Sequence, residues 1–212
     1  MTEQKIYQGE FGTFTITDED RQGVIIYRCG LGLAALSFAV GSMLVLIWGN
    51  NAHIMNIITI LYGVFCLGLG ISLLTIHIYM ILLHRILQIF WLIGIISAMA
   101  IAIQTPQSLP EFVYYNHLSI LGIGFTFASL TGIYFKEAFC FNRLETKILT
   151  PLVPTLLLGH LIGILPVQWE QILLGIWSIM FVLFALRKVG QSIPSDIGDK
   201  SVFSYLQQKT AS

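Results

Sequence analysis

The chain has 212 residues, 56% of them apolar and only 10% charged, with a mean hydropathy of +0.80. Soluble domains carry about 25% charged residues, so the composition excludes an ordinary water-soluble fold and leaves a membrane protein. The formal net charge is zero, which gives nucleic acid no electrostatic reason to bind.

Residues 1–23 read as a short polar segment. Within it, GEFGTFTITDED alternates Phe14 and Ile16 with Thr13, Thr15 and Thr17, the period-two pattern of a strand. Thr17 or Asp18 is placed to cap the next helix, with Glu19 and Asp20 in a first turn where the helix dipole favours acids. The first apolar run is longer than a secretory h-region of about 7–15 residues and follows this acidic stretch, so it is expected to stay attached as the first span.

A bilayer core about 30 Å thick needs around 20 apolar residues in a helix. Suitable runs cover 24–48, 54–83, 86–103, 118–135, 150–165 and 169–186. They predict an all-α fold: a polytopic bundle of six transmembrane helices over 24–189, followed by a flexible polar tail over 190–212. His84 and Arg85 alone separate the second run from the third. All eleven Lys and Arg fall in the N-terminal segment, at 84–85, in the 136–147 loop or at the C-terminal end, while 49–53, 104–117 and 166–168 hold none. Basic residues resist translocation, so both termini are expected in the cytoplasm. Trp48, Tyr114, Tyr115 and Trp169 then form an aromatic belt on the outer side.

Small residues let membrane helices approach closely. Such stripes occur at Gly94, Ala98 and Ala102, at Gly124, Ala128 and Gly132, and at Gly159 and Gly163. Weaker pairs are Gly30 with Ala34 and Ser37 with Gly41. The stretch PLVPTLLLGHLIG, residues 151–163, is the most irregular of the runs. Thr150 and Pro151 read as the N-cap and first turn of a short fifth helix, with Pro166 at its end.

His160 in that helix is either a polar group satisfied by a neighbouring helix or a working residue. His53, His117, Glu111 and Glu170 belong to the outer connections, where with His160 they could bind a metal or a pigment magnesium, or relay protons. No two of them share a ligand-type spacing on one helix. On the inner side, His77 and His84 stand seven apart beside Arg85, as an interfacial polar stripe would. The loop YFKEAFCFNRLETK offers a cytoplasmic docking surface through Lys136, Glu137, Arg143 and Glu145, or an ion-paired loop. Cys29, Cys66 and Cys140 are scattered without metal spacing. A six-span bundle brings rhomboid proteases to mind, yet there is no GxSG, HExxH or P-loop.

Three stretches, YQGEFGTFTITDEDRQGVIIYR, FKEAFCFNRLETKILTPLVP and LLLGHLIG, resemble an uncharacterised integral-membrane family of cyanobacteria and related phototrophs, catalogued as a domain of unknown function. The resemblance covers about residue 6 to 190. It implies a cyanobacterial source and residence in the plasma or thylakoid membrane, and it carries no catalytic residue or cofactor. On these grounds the chain reads first as a non-catalytic accessory or assembly factor, in contact with the bilayer and a membrane-protein partner. The alternatives are a small-solute or ion carrier using the His53, His117 and His160 side, and a membrane-embedded metal-dependent enzyme.

Overall fold

The computed structural model describes residues 6–49, 51–202 and 205. The strand-like pattern near the N-terminus is a hairpin, β1 (Ile6–Gly9) paired antiparallel with β2 (Gly12–Thr15), in which Tyr7 lies opposite and stacks on Phe14. Thr17 caps α1 (Asp18–Trp48) in a capping box: its hydroxyl accepts from the Asp20 backbone while the Asp20 carboxylate accepts from the Thr17 backbone. At 31 residues, or about 46 Å, α1 is longer than a bilayer core and extends beyond it.

The remaining helices among the described residues are α2 (Ala52–Thr75), α3 (Ile81–Gln104), α4 (Leu109–Tyr115), α5 (Ile120–Phe141), α6 (Leu144–Leu161), α7 (Val167–Val189) and α8 (Ile193–Ile197). The order of packing α1–α2–α3–α5–α6–α7–α1 closes a ring of six. Five helices are long and apolar enough to cross a membrane: α1, α2, α3, α5 with the turn before it, and α7. The sixth, α6, has 18 residues, about 27 Å. Glu145, Lys147, Pro151 and Pro154 dilute its apolar content.

Two boundaries differ from the sequence reading. The second run breaks at residues 76–80, not at 84–85: α2 ends at Thr75, and His77 lies in the link, so it shares no helix face with His84. His84 instead sits in the first turn of α3, its Nε2 2.5 Å from the carbonyl of Leu73, and Gln88 reaches the same carbonyl. That polar cluster satisfies the end of α2, and Arg85 joins it by donating to Gln88. The fifth run starts at Leu144, so Pro151 and Pro154 lie inside α6 and not at its first turn. Each proline removes one backbone donor. Threonine hydroxyls add bonds to other carbonyls nearby, Thr150 donating to the Thr146 carbonyl at 2.7 Å and Thr155 to that of Pro151 at 2.8 Å.

Two of the stripe glycines, Gly94 and Gly132, are covered from within the chain. A Cβ on Gly94 would collide with Thr126 of α5, and one on Gly132 with Leu87 of α3. The Gly159/Gly163 pair is not a packing stripe. Gly163 sits past the end of α6 at φ +68°, and the amide of Ile164 bonds the carbonyl of Gly159, closing the helix with the left-handed cap that glycine favours. Leu165 folds back over Gly159, where any side chain would displace it.

At the Lys/Arg-rich end, residues 190–202 of the expected loose tail pack against the bundle. Asp196 of α8 is buried between Lys188, 2.5 Å away, and Arg28 of α1, whose Nε and Nη2 both donate to it. Lys188 also donates to Glu137 at 2.6 Å, and Glu137 accepts from Lys136 and Tyr27. Glu145 pairs with Arg187 at 2.8 Å and lies near Arg143. The 136–145 charges thus face one another inside the chain. Farther along, Asp199 accepts from the Glu10 backbone, joining the hairpin to the C-terminal segment. Positions 203–204 and 206–212 of the expected tail, and 1–5 of the N-terminal segment, lie outside the described residues.

Candidate functional site

At the opposite end of the bundle the ring opens. A cavity of about 430 Å³ is lined by α1, α2, α4, α5, α6 and α7, within the range of about 300–1,000 Å³ typical of ligand pockets. It runs from Gly49, Tyr115 and Val167, at the helix ends away from the N-terminal hairpin, to Phe38, Phe65, Phe127 and Trp177. Ten residues of α7 separate Val167 from Trp177, so its length is about 15 Å. The inner end is aromatic: Phe38 lies 4.5 Å from Trp177, and Phe127 lies 5.6 Å from Phe65 and 5.3 Å from Trp177 between ring centres. Beside these rings Tyr62 and Thr126 share a 2.9 Å hydrogen bond.

The polar groups gather at the mouth because of two local turns. The cap after α6 and Pro166 before α7 make a tight reversal, which sets the last turn of one helix against the first turn of the next. His160 and Glu170 meet there, Nδ1 to Oε1 2.7 Å, with side chains 12% and 14% exposed. The second turn is α4, a short helix that the sequence reading left as connection. Its start, Ser-Leu-Pro-Glu, has the S-x-x-E spacing and early proline of a helix N-terminus, a signal that could have found it. Glu111 and Tyr114, three residues apart on α4, both line the cavity. The Tyr114 ring lies 5.1 Å from that of His160. Burial first, and then the Glu170 carboxylate, push the Tyr114 hydroxyl above its ordinary pKa, so it remains a donor to Glu170.

Of the five residues expected to converge on the outer side, the structure brings four into one neighbourhood. The His117 ring lies 4.5 Å from that of His160, tilted against it, and Glu111 and Glu170 line the same cavity as His160. His53 stays exposed at the start of α2, its amide held by the Asn51 side chain, and does not line the cavity. Among the described residues, no three His, Cys, Asp or Glu side chains are arranged to hold a metal ion. Sequence reasoning missed Tyr114 as a site residue, because its position suited an aromatic belt, and missed Ser42, Tyr62 and Trp177, which look like ordinary helix interior.

The family comparison agrees with this architecture. The model of the family described as "Uncharacterized integral membrane protein (DUF2301)" matches residues 71–205, more than half of the chain. The chain belongs to this family. It is accordingly an integral membrane protein in contact with a lipid bilayer. The matched segment contains Glu111, Tyr114, His117, His160 and Glu170, whereas the α1 side of the cavity lies before it. No curated protein and no solved structure matches the chain.

Proposed function

We propose that the protein binds a small, largely apolar molecule with a hydrogen-bonding head in its outer cavity, as a membrane carrier or receptor. The observation that carries this reading is the His160–Glu170 pair, with Tyr114, at the mouth of an otherwise apolar cavity of about 430 Å³. A few convergent polar groups on apolar walls are the common anatomy of a small-molecule site. The assembly-factor reading has less support, since Gly94 and Gly132 meet partners inside the bundle and Lys136, Glu137, Arg143 and Glu145 form ion pairs within the chain.

The test is to purify the full chain in a mild neutral detergent and compare it by native mass spectrometry with Ser42→Trp and Leu174→Trp, which fill the cavity. Wild type is expected to retain a bound molecule distinct from the bulk lipid, and both variants to lose most of it. Equal retention in all three, or none in wild type, would refute the reading.

The proposal extends to six crossings with both termini on the cytoplasmic, Lys/Arg-rich face of a plasma or thylakoid membrane in a phototroph. Its support is the contact of the N-terminal hairpin and α1 with the C-terminal segment through Asp199–Glu10, Lys200–Asp20 and Arg28–Asp196. An even number of crossings brings two termini together, and α6 supplies the sixth. In a cysteine-free background, Gln8→Cys and Ser192→Cys should both resist a membrane-impermeant maleimide applied outside intact cells, while Asn116→Cys reacts. Opposite behaviour of the first two positions would leave five crossings.

A further inference from the structure

We infer that the outer cavity selects a lipophilic cation: an apolar body within the aromatic slot and a positive head at the Glu111 and Glu170 carboxylates. This rests on the reading of the cavity as a ligand site and adds the sign of the ligand's charge.

The mouth contains two carboxylates and no Lys or Arg. Glu170 is paired with His160 at 2.7 Å, and Glu111 accepts a long bond, 3.4 Å, from Ser108. None of the described Lys and Arg residues lines the cavity. Those described lie at the far end of the bundle, many in the Glu137, Asp196 and Glu145 network.

An anionic head entering here would lose water and meet two carboxylates with no Lys or Arg of the described residues as counter-charge, which is costly. A cationic head gains both carboxylates in a partly buried site, where screening by water is weak. The walls point the same way. Tyr114 and Tyr115 at the mouth and Phe38, Phe65, Phe127 and Trp177 at the inner end all line the cavity. Aromatic rings attract cations through their quadrupoles, most strongly when the cation has shed its water.

Tetraphenylphosphonium and tetraphenylborate provide the test, being nearly identical in shape and opposite in charge. Each is titrated separately by calorimetry into the full-length protein in neutral maltoside detergent, for wild type, Glu111→Gln, Glu111→Gln/Glu170→Gln and Ser42→Trp. The expected result is wild-type affinity at least tenfold higher for the phosphonium than for the borate. The gap should shrink in Glu111→Gln and close in the double variant, and neither ion should bind Ser42→Trp. If the borate binds wild type as tightly as the phosphonium, or if Glu111→Gln leaves the gap intact, the charge inference is wrong and the cavity reading survives. If neither ion binds wild type, or both bind Ser42→Trp unchanged, the cavity is not a ligand site and both proposals fall. Glu111 lies at the rim of α4, so its amide variant tests the sign without disturbing the His160–Glu170 pair.

Discussion

Replacing Lys188 by methionine is expected to destabilise the protein by about 3 kcal/mol, at the low end of the roughly 3–5 kcal/mol lost when one partner of a buried ion pair is removed. Lys188 is fully buried in the last turn of α7, between Glu137 and Asp196. Without its ammonium, two buried carboxylates remain near each other. The low end applies because each keeps other partners: Glu137 has Lys136 and Tyr27, and Asp196 has Arg28 and Gln191. For a chain of this size the loss corresponds to a fall of roughly 6–12 °C in the thermal midpoint. A second readout separates local from global damage. Ile197, 1% exposed in α8, should react with maleimide as Ile197→Cys far faster when Lys188→Met is also present, because the clamp on α8 is gone. Adding Glu137→Met should restore part of the midpoint, since an apolar pair can replace a buried ionic one at little cost. A midpoint unchanged by Lys188→Met would mean that these charges are solvated and do not hold α8 in place.

That network also shows where sequence reading stops. Hydrophobic runs locate the long helices because a bilayer demands about 20 apolar residues per crossing, and α1, α2, α3, α5 and α7 lie where the runs predict them to within several residues. The distribution of Lys and Arg separates the two ends of the bundle just as well. Neither signal says which charges meet: Arg28 and Asp196 are 168 positions apart, and nothing local in the sequence links them. For the same reason the contacts of residues 190–202 were not legible, because Pro194 and Gly198 mark turns but not the ion pairs that bury a turn. The outer site was half legible. His160 stood out as a polar group in an apolar run, and Glu170 was within reach of it. The cavity, and the role of Tyr114, depend on how six helices leave space between them, and no residue pattern encodes a void.

A close glycine crossing between α1 and α2 gives the remaining large effect. Gly30 of α1 and Gly68 of α2 touch backbone to backbone: a Cβ on Gly68 would stand 2.7 Å from the Gly30 carbonyl and 2.8 Å from the Ala34 amide nitrogen, and one on Gly30 would stand 2.7 Å from the Gly68 carbonyl. Backbone cannot swing aside, so the helices must separate. Separation also stretches the 3.0 Å bond that the Ser72 hydroxyl donates to the Tyr27 carbonyl, an interhelical bond of a kind worth about 0.6 kcal/mol in membranes. Gly68→Ala is therefore expected to cost about 1–3 kcal/mol, and Gly68→Val to abolish recovery of folded protein from the membrane. Gly63→Ala, five residues earlier with open space around its Cβ, should be neutral or stabilise by up to about 1 kcal/mol. Because one contact limits both glycines, the costs should not add. Once Gly68→Ala has moved α1 and α2 apart, Gly30→Ala meets room already made, and the double variant should cost clearly less than the sum of the singles. Strict additivity in a thermal-denaturation cycle would mean that the two glycines act at separate contacts, and the crossing described here would be wrong.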